Sequence, residues 1–135
     1  MKIEPISLLK ISFIIGVIAD AIVAINWFLI SLGYPYVNMI SAYRGNGVDY
    51  QFAMFICSLF MFGWTAILFW GFLEPEERKG LLLITSSLLL ISIILELIMF
   101  YQLLINEGFI IGIIMRMVLI SKFSFSYFYS KYRSR

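Results

Sequence analysis

Four apolar runs, each close to the length a helix needs to cross roughly 30 Å of hydrocarbon, dominate this chain. They extend over residues 11–32, 50–72, 80–104 and 109–128. Inside lipid a backbone finds no water to bond, so runs of this length satisfy their amides internally and become helices. Only 13% of the 135 residues are charged and 62% are hydrophobic, whereas an ordinary soluble domain carries about 25% charge. A protein of this size has too little interior to hide so much apolar surface, and lipid must be its main solvent. The fold expected is all-α, an integral membrane four-helix bundle forming a single transmembrane domain over residues 1–135.

The connectors differ in kind. The first run stops at Gly33, with Pro35 two residues later, a common helix ending. The loop from Gly33 to Asp49 is long, rich in Tyr and Asn, and ends in the turn-like Arg44-Gly45-Asn46-Gly47; Asp49 is placed to cap the second helix. Between runs two and three, Pro75 suits the first turn of a helix and Glu76 and Glu77 suit its positive end, so the third helix is expected to begin at Pro75 and protrude into water. Only Asn106-Glu107-Gly108 separates runs three and four, which predicts a tight helix 3–4 hairpin.

Basic residues set the expected orientation. Lys2, Lys10, Arg78, Lys79, Lys122, Lys131, Arg133 and Arg135 fall on one side of the four runs, against Arg44 alone on the other. Positive residues collect on the cytoplasmic face, so both termini and the loop between runs two and three are expected in the cytoplasm, with the chain in the cell membrane. The first run also carries signal-peptide features, including Ala19-Asp20-Ala21 as a small-x-small site. Its apolar stretch continues well past that site, and retention as a helix is the expectation. Aromatic residues flank both ends of the runs, and the segment Phe123–Tyr129 followed by Lys131, Arg133 and Arg135 reads as interfacial, facing anionic membrane lipids.

Against this background three charges stand out: Asp20, Glu96 and Arg116 lie within the apolar runs. A charge at mid-bilayer costs roughly 2.5–3.5 kcal/mol on insertion scales, so such residues face the bundle interior and find partners. Glu96 lies ten residues before Asn106 and Arg116 ten after it. At about 1.5 Å per residue both sit about 15 Å below the turn, at matching depth on adjacent antiparallel helices. A structural ion pair between Glu96 and Arg116 is the natural outcome. Asp20 has no private partner in the sequence; it shares Arg116, is neutral, or meets water or a ligand. Asn26 and Trp27, nearer the loop end of the first helix, complete the set of ligand-binding candidates with Asp20, Glu96 and Arg116.

Small residues offer close approach. Gly16, Asp20 and Ala24 share one face of the first helix, and Gly108, Gly112 and Arg116 one face of the fourth, a spacing that lets helix backbones pack closely in membranes.

Much chemistry is excluded by composition. Cys57 is the single cysteine and there is no histidine, so the chain offers no internal disulfide, no cysteine-rich metal site and no imidazole base or ligand. The quinone-linked thiol oxidoreductases, which also have four spans, need cysteine pairs that this chain lacks. A net charge of +2 gives no reason to expect nucleic-acid binding. No cofactor, metal or catalytic residue is expected. Two carboxylates in unlike environments leave only a lipid-modifying enzyme as a catalytic reading, and no nucleophile supports it. The leading expectation is a small polytopic membrane protein that binds or translocates a small polar or amphipathic solute at an intramembrane polar site. One narrow bundle conducts poorly, which points to a homo-oligomer or a larger membrane complex. The alternative is a structural or assembly subunit whose buried charges fix helix packing.

Overall fold

The computed structural model of the protein describes residues 4–34, 45–100, 102 and 107–133. These form four α-helices, α1 (Pro5–Ser31), α2 (Val48–Leu73), α3 (Gly80–Met99) and α4 (Glu107–Arg133), with no strand among the described residues. All four are long and apolar enough to cross a membrane. At 20 residues and about 1.5 Å each, α3 matches the hydrocarbon thickness; the other three, at 26 or 27 residues, extend past it by about 10 Å.

The helix ends differ from the sequence expectation where local bonding outweighs hydropathy. α1 begins at Pro5, six residues before the apolar run. Proline at the first helical position loses no bond, and Leu8 N–H closes the turn on Glu4 O at 3.2 Å. At its other end Gly33, at φ +85°, directs its own N–H to Ile30 O (2.9 Å) and that of Tyr34 to Leu29 O (3.1 Å). That pair of bonds satisfies two of the helix's last free carbonyls.

α2 starts at Val48 behind Gly47, whose φ of +96° is a conformation open to glycine. Asp49 therefore lies in the first turn of α2, not at its cap.

Pro75 does not start α3. Residues 74–79 form a turn, and the helix begins at Gly80. Arg78 holds that turn in place. It pairs with Glu74, donates from Nη1 to Trp70 O at 2.6 Å, and lays its guanidinium 3.7 Å from the Trp70 ring centre. A helix from Pro75 would carry Arg78 away from the end of α2 and break both of its contacts with Trp70.

α3 ends at Met99, not at 104, and α4 begins at Glu107, not at 109. Residues 101 and 103–106, with Asn106 of the expected hairpin turn, lie outside the described residues, as do 35–44 with Arg44. α4 also continues through the segment expected at the interface as far as Arg133. Ser126 and Ser130 are fully buried there, so the aromatic tail is a helix packed on one face and exposed on the other.

The helices are ordered in space α2, α1, α4, α3: α1 packs along α2 and against α4, and α4 packs against α3. α2 and α3, neighbours in sequence, touch little. All four meet at the end that carries Pro5, the 74–79 turn and Arg133, termed here the tail end. Leu9 and Phe13 of α1, Leu68 of α2, Leu82 of α3 and Phe123 of α4 form the buried core there.

Two glycines admit this core. A β-carbon on Gly16 would stand 3.0 Å from Leu68 Cδ1 and 3.1 Å from Phe123 Cζ, and one on Gly71 would collide with the Phe13 ring. One buried polar contact ties the two halves: Ser12 Oγ and Ser126 Oγ lie 2.6 Å apart between α1 and α4. Hydroxyl pairs of this kind contribute about 0.6 kcal/mol between helices in lipid.

Candidate functional site

Arg116 is the most heavily bonded side chain within the apolar spans. Nη1 donates to Glu96 Oε1 at 2.6 Å and Nη2 to Glu96 Oε2 at 2.7 Å, a two-pronged contact between α4 and α3. Nη1 also reaches Ser92 Oγ at 3.3 Å, and Nε reaches Gly112 O, one turn back on α4, at 3.2 Å. The planar fork of a guanidinium matches a carboxylate in this way, and each remaining N–H seeks an oxygen because lipid offers none. Relative exposures of 23% for the arginine and 16% for the glutamate side chain place the pair largely inside the protein.

The pair is reached by unequal arms. Glu96 lies in the last turn of α3, about 4.5 Å from its end at Met99, while Arg116 is nine residues into α4, about 13.5 Å from its start. The expectation of equal depth below the turn rested on α3 continuing to 104; because it stops at Met99, α4 begins about 9 Å beyond the end of α3. Gly112, placed in the sequence among the close-packing positions, serves the pair through its carbonyl. Among the described residues no atom beyond its own stretch of helix backbone lies within 4 Å of where its β-carbon would be. Gly108 is half-buried one turn further toward the start of α4.

Asp20 belongs to a different set of neighbours. It follows Gly16 by one turn on the inner face of α1 and precedes the fully buried Ala24 by another. Gly16 marks the level: it is packed between Leu68 of α2 and Phe123 of α4. Both of those helices run antiparallel to α1. One turn away from the tail end, the next layer is therefore Asp20 with Trp64 and Thr65 of α2 and Leu119 of α4. Trp64 and Leu119 are half-buried against the core, and Thr65 Oγ1 donates back to Met61 O at 2.8 Å. Arg116 lies three residues beyond Leu119, committed to Glu96. Asp20 itself is half-buried and forms no hydrogen bond or ion pair with a described residue.

The structure thus brings together two of the three intramembrane charges and leaves the third on a separate helix. Comparisons with protein-family models, with curated proteins and with solved structures return no match. The site's chemistry is accordingly read from its own residues.

Asn26 is buried at 6% exposure and Trp27 half-buried, both in the last two turns of α1. The Trp27 Nε1–H is buried and meets no acceptor among the described residues. Trp27 lies two turns from Asp20 on the same face, about 10.5 Å along the axis. Among the described residues no group of three His, Cys, Asp or Glu side chains comes together to hold a metal.

Among the contacts the sequence did not anticipate are the Ser12–Ser126 bond and the seat of Phe13 on Gly71. The signal for the first was present, since Phe123, Ser126 and Ser130 continue the three-and-four spacing of α4 past Phe128. The second had none, because which glycine receives which ring depends on the helix crossing.

Proposed function

We propose that this chain is a multi-pass protein of the cell membrane, both termini in the cytoplasm, that binds or translocates a small polar or amphipathic solute at Asp20. One observation supports the reading: Glu96 and Arg116 are spent on each other, so the Asp20 carboxyl on the inner face of α1 is left without a hydrogen bond or ion pair to a described residue. A carboxylate held at that depth without a partner is a standing cost to the fold, and a group arriving from outside offsets it. The gathering of Lys10, Arg78, Lys79, Lys131 and Arg133 at the tail end supports the orientation. No catalytic residue is assigned.

The test compares wild type with Asp20→Asn in detergent against a panel of cationic, anionic and neutral solutes, reading ligand-induced shifts in thermal melting. Solutes that raise the melting point of wild type and not of Asp20→Asn are expected. A panel that shifts both proteins equally, or neither, contradicts a solute site at Asp20.

A second reading has its own support. The Glu96–Arg116 contact, with Ser92 and Gly112 around it, is a complete lock between α3 and α4, which suits an assembly subunit of a larger membrane complex or a homo-oligomer. On that reading Asp20 meets a cationic residue of a partner span, and Asp20→Asn lowers recovery of a co-purifying membrane protein while leaving solute responses unchanged.

A further inference from the structure

The face of α4 turned away from the other helices carries an open groove of about 580 Å³. Ile114, Val118 and Lys122 form one wall at four-residue spacing, and Met117, Ser121 and Phe125 form the other. Side chains in such rows make ridges along a helix, with a furrow between neighbouring ridges. Leu119, Phe123 and Ser126, which α4 turns inward, fall on the far side at 3.6 residues per turn. Ile114, Met117, Val118 and Phe125 are all exposed, so the groove opens onto lipid.

The groove is mostly apolar, with one charge toward its tail end. Lys122 is half-buried and forms no hydrogen bond or ion pair with a described residue. The next cations along α4 have company: Lys131 and Arg133 lie 5.9 and 5.1 Å from the ring centres of Tyr127 and Tyr129.

Depth decides what can answer Lys122. Its neighbour Phe123 shares the tail-end core with Leu82, the third residue of α3, and the 20 residues of α3 match the hydrocarbon thickness. Lys122 therefore stands just inside the hydrocarbon boundary, where a lysine stem can carry its ammonium out to the headgroups. From there to Ile114 the groove runs about 12 Å toward mid-membrane, the direction an acyl chain takes.

A second copy fits this face poorly. Spans that meet about a two-fold axis along the membrane normal present the same residues to each other, so Lys122 would oppose Lys122. Helices in lipid also approach through small residues. Only Ser121 is small among those named, and its hydroxyl already donates to Met117 O at 2.9 Å. A phospholipid meets both demands, with an acyl chain for the furrow and an anionic phosphate for the ammonium.

We propose that this groove holds one anionic phospholipid of the tail-end leaflet, an acyl chain lying between the two ridges and the headgroup phosphate paired with Lys122. Asp20 plays no part in it.

The experiment is native mass spectrometry of the purified full chain in detergent, titrated with dioleoyl phosphatidylglycerol and, in a parallel arm, with dioleoyl phosphatidylcholine. Wild type is expected to retain one phosphatidylglycerol and to hold phosphatidylcholine more weakly. Lys122→Gln is expected to lose about fivefold in affinity for phosphatidylglycerol, the effect of one cation at the interface, and Lys122→Arg to keep it. Lys131→Gln removes the same charge outside the groove and is expected to lose clearly less. Val118→Trp fills the furrow, leaves the ammonium in place and is expected to weaken retention as well. No retention by wild type, or equal retention by Lys122→Gln, overturns the proposal. Equal losses in Lys122→Gln and Lys131→Gln also overturn it, by showing diffuse attraction to the basic end of α4. A wild-type dimer that Val118→Trp dissociates, with lipid retention unchanged, overturns it in favour of a second copy on this face.

Discussion

At the scale of the residue, this protein is governed by what each polar atom within the spans can reach. Arg116 reaches four oxygens on Glu96, Ser92 and Gly112, so its removal leaves Glu96 as an uncompensated charge. Arg116→Gln is expected to destabilise by about 3 kcal/mol, while the double variant Glu96→Leu/Arg116→Leu recovers most of that loss, since breaking one partner of a buried pair costs more than replacing both. Reversible unfolding of the two variants in mixed micelles checks this, and equal losses in both would refute it. Phe13 against Gly71 is the other sensitive point. Gly71→Ala forces the ring out of its seat and is expected to cost about 1–3 kcal/mol, measured the same way. The pairing partners Glu96 and Arg116 could be read from sequence spacing, because two opposite charges, each ten residues from Asn106 on consecutive apolar runs, have few alternatives. The isolation of Asp20 could not, because it depends on which layer of α4 faces α1.

At the scale of the element, hydropathy located the four helices and five of their eight ends to within two residues, and missed the start of α1 and the far ends of α3 and α4. Hydropathy reports where lipid is tolerated, whereas helix ends obey hydrogen bonding. Pro5 starts α1 in water, Gly33 and Gly47 supply the positive φ that ends one helix and precedes the next, and Arg78 stops α3 from starting at Pro75. The last of these is testable. Arg78→Lys keeps the charge and loses the flat stack on Trp70, and is expected to cost about 0.5–1 kcal/mol with a loosened 74–79 turn. Faster amide exchange at residues 78–82 in the variant is the readout; exchange identical to wild type would count against the role given to Arg78. Extension of α4 to Arg133 has the same origin, since the spacing of Phe123, Ser126 and Ser130 buries one face of a segment whose composition alone suggests an interface.

At the scale of the whole molecule, the helices stand in a row, α2, α1, α4, α3, knotted at the tail end by Leu9, Phe13, Leu68, Leu82 and Phe123. Spatial order in a membrane is hard to read from sequence because lipid-facing and helix-facing positions are equally apolar, and the periodicity that marks a buried face in water is absent. What sets the order here is small residues, Gly16 and Gly71, and the serine pair across α1 and α4. Ser126→Leu is expected to separate α1 from α4 and to expose Phe123, which cross-linking between cysteines introduced at Leu9 and Ser130 reports as a loss of yield; an undiminished yield would show that the knot does not need the serines. An internally neutralised half, α3 and α4, then stands beside a half that carries an unmatched carboxylate. The difference between them is directly measurable as thermal stability of the purified protein with no added solute. Asp20→Asn removes a carboxyl that no described residue bonds and is expected to raise the melting temperature, by up to about 2.5 kcal/mol of stability, whereas Glu96→Gln strands Arg116 and lowers it. Opposite signs are the result this account requires; a drop with Asp20→Asn as large as that with Glu96→Gln would contradict it.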